Sequence, residues 1–245
     1  MIKADDRIIV ALDVDNFEKM ITMAMRLGDS VSFAKVGMEL FYSAGNETVL
    51  FLRASGKKVF LDLKFHDIPN TVAASVATLT RLGASVLSLH AAGGRAMLSA
   101  AAESAKAAAE KYGVERPRLV AITALTSFDE VGWQEIGGQL PIRDHVLKLA
   151  ELAQSSGVDG VVASPREAEI IRDLCGPDFL IITPGIRPAS AEVNDQKRIA
   201  TPSEALRLGA SQLVIGRPIT AAENPRQAVK QILAEIKNVE SSRVR

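Results

Sequence analysis

Short apolar runs rich in β-branched residues recur along the chain, each followed by a stretch in which apolar side chains return every three or four positions. The runs are Arg7 to Val14, Val31 to Gly37, Lys58 to Lys64, Ser85 to His90, Arg118 to Leu125, Asp159 to Ser164, Phe179 to Thr183 and Gln212 to Gly216. Strands alternating with helical segments imply βαβ units and a parallel sheet. Ile8-Ile9-Val10-Ala11-Leu12 and Phe179-Leu180-Ile181-Ile182 are apolar throughout, as strands covered on both faces must be. Phe17, Met20, Ile21, Ala24 and Leu27 share one helical face. So do Val146, Leu149, Ala150 and Ala153, and again Val229, Ile232, Leu233 and Ile236. Gly28, Gly83, Gly113, Gly157 and Gly209 stand where those helices should stop. The Ala-rich stretch Ala100 to Ala109 is a strong helix former. An open doubly wound sheet usually has fewer strands and a Gly-rich nucleotide fingerprint, and neither G-x-G-x-x-G nor G-x-x-x-x-G-K-[ST] occurs. The 245 residues match the roughly 250 of one closed α/β barrel, so the chain reads as a single (β/α)8 TIM-barrel domain over 1–245.

Composition narrows the function. Lys plus Arg is 29 and Asp plus Glu is 29, which argues against a large electrostatic footprint for nucleic acid or an anionic membrane. Anion selectivity must then come from a few placed cations. The single cysteine, Cys175, excludes an internal disulfide and a Cys zinc cluster, and reads as a small buried apolar residue. The N-terminus lacks the basic start and apolar stretch of a signal peptide, and no apolar run approaches the ~18 residues of a membrane span. The expected location is the cytoplasm.

In a barrel, function sits at the C-terminal ends of the strands. The first predicted strand ends in Asp13, the second carries Lys35, and the third ends in Asp62-Leu63-Lys64 before Phe65-His66-Asp67. His90 ends the fourth, while Thr126 and Ser127 follow the fifth. Asp62 and Lys64 are two apart, so with Phe60 they should face the interior while Val59, Leu61 and Leu63 face outward. Interior charges must be paired, and Lys35 on the neighbouring strand is the natural partner. Such a group fits either catalysis or a structural ion-pair network. Gly216-Arg217-Pro218 reads as a phosphate grip, with a bare glycine backbone, a proline in the first helical turn and free amides beyond. It also reads as an ordinary helix start.

The string DLKFHDIPNT, Asp62 to Thr71, resembles the signature of the orotidine 5′-phosphate decarboxylase family. Supporting pieces follow in the family's order along nearly the whole chain: ALD at Ala11 to Asp13, AKVG at Ala34 to Gly37, LHAAGG at Leu89 to Gly94, LTS at Leu125 to Ser127, TPGIRP at Thr183 to Pro188, DQKR at Asp195 to Arg198 and GRPIT at Gly216 to Thr220. The resemblance implies decarboxylation of orotidine 5′-phosphate to UMP, the last step of pyrimidine nucleotide synthesis, with no cofactor and no metal. It implies that Lys64 is the proton donor and that Asp62 lies beside the substrate carboxylate. Lys35 and Asp67 complete an alternating Lys-Asp-Lys-Asp array. A homodimer is implied, with Asp67 and Thr71 supplied by the neighbouring subunit and Thr71 reaching the ribose. Asp13 and Lys35 would hold ribose hydroxyls, Thr126 would meet the pyrimidine, and Arg187, Gln196, Gly216 and Arg217 would form the phosphate end, with Ser127 adjacent.

The polar segment Ala189 to Arg198 is expected to be a mobile lid that brings Gln196 to the phosphate. His66 is expected to support its loop, His90 to pack at the mouth, and His145, Phe128 and Trp133 to be structural. Two rivals stand beside this reading. One is a metal-dependent sugar-phosphate decarboxylase of the same superfamily, which shares Asp-x-Lys on the third strand but needs extra carboxylates. The other is a non-catalytic pyrimidine-nucleotide-binding barrel, which has no need of a proton donor.

Overall fold

The structure, a computed structural model, describes residues 6–188 and 200–243. Eight parallel strands pair in chain order and β1 closes on β8. They are β1 (Ile8–Ala11), β2 (Phe33–Gly37), β3 (Lys58–Phe65), β4 (Val86–His90), β5 (Arg118–Ile122), β6 (Gly160–Val162), β7 (Leu180–Thr183) and β8 (Gln212–Ile215). The first helices are α1 (Phe17–Leu27), α2 (Met38–Ala44), α3 (Glu47–Ala54), α4 (Pro69–Leu82) and α5 (Gly94–Tyr112). Then come α6 (Glu130–Glu135), α7 (Ile142–Ser155), α8 (Ala168–Cys175), α9 (Pro202–Arg207), α10 (Arg217–Thr220) and α11 (Pro225–Arg243). All eight predicted strands form, most of them shorter than their apolar runs. Arg7 to Val14 narrows to Ile8–Ala11, and beyond it Asp13 turns to the mouth while Val14 packs on the outer core.

Each strand wall separates two apolar clusters. The outer face, with Ile8, Val10, Val36, Leu61 and Val161, packs on helix faces that include Met20, Leu40, Val76 and Val146. The inner face, with Ile9, Phe33, Phe60, Val86, Val120 and Ile182, fills the barrel. Burying a side chain as large as Phe60 contributes about 2–3 kcal/mol. The helix faces read from the sequence are the buried ones, as Val146, Leu149, Ala150 and Ala153 of α7 illustrate. Asn16 caps α1 by accepting from the Lys19 amide, and Gly83 ends α4 in the left-handed conformation that a glycine adopts without steric cost.

Three features at the opposite end from the mouth hold the strands in place. A Cβ on Gly160 would lie 2.1 Å from the Leu180 carbonyl oxygen, so only glycine lets β6 and β7 approach. Arg172 donates to the carbonyls of Gly176, Pro177, Phe179 and Gly209 and to the Ser211 hydroxyl, tying α8 to the turns before β7 and β8. Lys57 is buried, with its ammonium on the carbonyls of Gly28 and Val31. Burial pushes that ammonium below the ordinary lysine value, with Asp29 opposing. Cys175 is buried and unpaired. Among the described residues no helix is long and apolar enough to cross a membrane.

Candidate active site

A cavity of about 490 Å³ opens at the C-terminal end of the barrel. Phe60, Ile122, Val162 and Val214 form an apolar floor continuous with the barrel filling. Asp13, Lys35, Asp62 and Lys64 line one wall, and Thr126, Arg187, Gly216 and Arg217 also face the cavity.

The four charged groups of the first wall form one row. Lys35 Nζ lies 3.0 Å from Asp13 Oδ1 and 3.7 Å from Asp62 Oδ2, and Lys64 Nζ lies 2.9 Å from the same Asp62 oxygen. Side-chain exposure is 10% for Lys35 and 14% for Asp62, against 61% for Asp13, so the row climbs from the interior to solvent. Ions this buried persist only with partners, because removing one partner strands the other at a cost of roughly 3–5 kcal/mol. Gly37 makes room for the row, since a Cβ there would lie 3.1 Å from Lys35 Nζ.

Lys64 reaches the row by an irregular route. Its φ is 54°, and it is the one non-glycine residue with positive φ among the described residues. That conformation costs a side-chain-bearing residue on the order of 1–2 kcal/mol. The register explains it: Leu61 pairs with Leu87 and Phe65 with Leu89, so Asp62, Leu63 and Lys64 oppose Ser88 alone. The expected convergence of Asp62 and Lys64 occurs, but through this bulge and not by simple alternation. The Lys64 amide donates to Ser88 Oγ at 2.8 Å, and Ser88 Oγ donates to Asp62 Oδ1 at 3.0 Å. The sequence reading missed Ser88. Its only signal was a hydroxyl inside the apolar run Val86-Leu87-Ser88-Leu89.

At the far wall Arg187 is 8% exposed. Its amide donates to the Ala200 carbonyl at 3.0 Å, across a short bridge between Ile186 and Ala200. Gly216 precedes α10, and a Cβ there would make only ordinary contacts with Ala11 and Asp13. Crowding within the chain therefore does not demand the glycine; its bare backbone faces the cavity. Among the described residues, the cavity lining holds four cations, Lys35, Lys64, Arg187 and Arg217, and the carboxylates Asp13 and Asp62. That excess suits an anionic ligand.

Of the remaining expected site residues, Ser127, Asp67 and Thr71 do not line the cavity. Ser127 is exposed and outside its lining. Asp67 and Thr71 are exposed, and the Asp67 carboxylate accepts from the Ile68 amide at 2.6 Å instead of joining the row. Gln196 and the expected lid at 189–198 lie outside the described residues. His66 stacks on His90 with ring centroids 5.1 Å apart. Burial, followed by the charges of His66 and Lys64, pushes the His90 imidazole below the ordinary histidine value. Trp133 packs against Phe128 and His145 and donates its indole N–H to the Leu140 carbonyl at 2.9 Å, away from the cavity.

Residues 6–232 match the profile of the "Orotidine 5'-phosphate decarboxylase / HUMPS family". The chain is 49% identical over 237 residues to an orotidine 5′-phosphate decarboxylase from Moorella thermoacetica, covering 96% of this chain and 94% of that one. It is 50% identical over 234 residues to the enzyme of the same name from Trichlorobacter lovleyi, covering 96% of each. The crystal structure of orotidine 5′-phosphate decarboxylase from Lactobacillus acidophilus superposes with a TM-score of 0.83 at 42% identity, covering 95% of this chain and 99% of that one.

Proposed function

This chain belongs to the orotidine 5′-phosphate decarboxylase / HUMPS family, and from that premise we propose how its residues carry the reaction. The protein is a carboxy-lyase of pyrimidine nucleotide synthesis that converts orotidine 5′-phosphate to UMP and CO2. The observation that carries the assignment of roles is the Asp13–Lys35–Asp62–Lys64 row, set in one cavity with Arg187 and Arg217.

Loss of CO2 from carbon 6 of the pyrimidine leaves a carbanion in the ring plane. The Lys64 ammonium, held on Asp62, is a fixed positive charge for that developing anion, and such preorganised electrostatics are often the largest catalytic contribution. Lys64 then gives carbon 6 a proton, yielding UMP. Asp62 faces the departing carboxylate in this reading, so their repulsion falls as CO2 leaves. Asp13 and Lys35 hold the ribose hydroxyls, Thr126 meets the pyrimidine, and Arg187, Gly216 and Arg217 take the phosphate. Binding energy from that remote phosphate is available to the transition state when the closed complex forms only around the whole nucleotide.

We further propose that a second copy of the chain completes the row with its Asp67 and brings Thr71 to the ribose. Three features support this. Asp67 stands outside its own chain's cavity. Ile68 beside it is 66% exposed. Met38 and Tyr42 of α2, which follows β2 at the same end of the barrel, are 44% and 75% exposed.

The test is loss of the orotate absorbance in purified protein. Lys64→Ala is expected to lower turnover by roughly 10⁴-fold or more, the combined scale of a general acid and a fixed charge, while still binding UMP. Turnover like the wild type in that variant would overturn the proton-donor role.

A further inference from the structure

Resting on the reading above, we propose that Ser88 is a positioning residue for the decarboxylation, with one hydroxyl that sets both the side chain of Asp62 and the backbone of Lys64. Regular alternation would turn the Lys64 amide toward β2, as it does that of Lys58. The bulge turns it toward β4 instead, where the Ser88 hydroxyl accepts from it at 2.8 Å. The same oxygen donates its proton to Asp62 Oδ1 at 3.0 Å. A hydroxyl carries one proton and two acceptor lone pairs, so both bonds coexist and together fix where that proton points. With Oδ1 occupied by Ser88, Oδ2 is the oxygen that meets both ammoniums, Lys64 at 2.9 Å and Lys35 at 3.7 Å.

Ser88 is fully buried, so bulk water does not stand in for a missing hydroxyl. It is also absent from the cavity lining, so it acts on the substrate only through Asp62 and Lys64. Those two conditions predict a specific defect. Nucleotide binding, set by the far wall and Asp13, is spared, while the chemical step suffers from a misplaced ammonium. A displacement of about 1 Å in a reacting group costs on the order of 100-fold in rate.

The experiment compares Ser88→Ala, Ser88→Thr and Ser88→Val in the full chain, after wild-type turnover of orotidine 5′-phosphate is established. Absent wild-type turnover would refute the functional reading itself, separately from this inference. Thr and Val have nearly the same volume and differ in the hydroxyl. Ser88→Thr is expected to keep kcat within about 5-fold, while Ser88→Val and Ser88→Ala lose about 10–100-fold in kcat with KM nearly unchanged. Equal kcat for Thr and Val, or a loss carried by KM, overturns the proposal. If a larger variant fails to fold, Ser88→Ala decides through the same split between kcat and KM.

Discussion

His90 shows how the mouth makes single residues sensitive to acid. Its buried Nδ1 has no hydrogen-bond partner among the described residues, and burial holds the imidazole below the ordinary value of 6.5. The folded protein therefore resists a proton that the unfolded chain accepts. The stability this contributes is complete above the unfolded value and is lost as pH falls through it toward the folded value. The urea midpoint should drop between about pH 7 and pH 5, and His90→Asn should flatten that part of the profile. An unchanged slope in the variant would assign the drop to other groups. At this scale the pairing of Lys35, Asp62 and Lys64 was legible because Lys and Asp at a strand end demand partners, whereas the ion pair of Asp13 with Lys35 was not read. The left-handed Lys64 and the role of Ser88 were not, since both follow from a register shift that no local pattern encodes.

Among the elements, β6 lies hard against its neighbour β7. It is three residues long, and its first residue, Gly160, faces the Leu180 carbonyl of β7. Ala at this position puts its methyl against backbone, which cannot swing aside as a side-chain tip can. Gly160→Ala should cost roughly 2–4 kcal/mol, read as a lowered unfolding midpoint, and a midpoint within error of wild type would count against a rigid β6–β7 approach. The eight strands were legible because a wall covered on both faces is apolar at nearly every position. Their ends were not, because apolar residues such as Leu12 continue past the end of the strand. The short helices α2, α3 and α10 were not delimited either, since one or two turns give too few repeats to define a face.

For the whole molecule, the question is whether one copy contains a complete site. Under the proposed pairing, a chain with Lys64→Ala and a chain with Asp67→Ala are each inactive alone. In a two-fold dimer their mixture contains one intact site in every mixed pair, so equal mixing should recover about a quarter of wild-type activity. No recovery after demonstrated exchange of copies would mean that Asp67 does not act across a boundary. The barrel itself was legible from chain length and strand count, whereas a partner surface leaves no periodicity in one chain; what supports it is the exposure of Asp67, Ile68, Thr71, Met38 and Tyr42 in the structure. The apolar filling beneath the cavity has a consequence for traffic. Among the described residues, Phe33, Phe60, Val86 and Val120 fill the barrel beneath the cavity. With the nucleotide bound as proposed, carbon dioxide would escape past the molecule it came from, and the spent nucleotide would have to vacate the entrance before the next one arrives, which would make UMP a competitor of its own precursor.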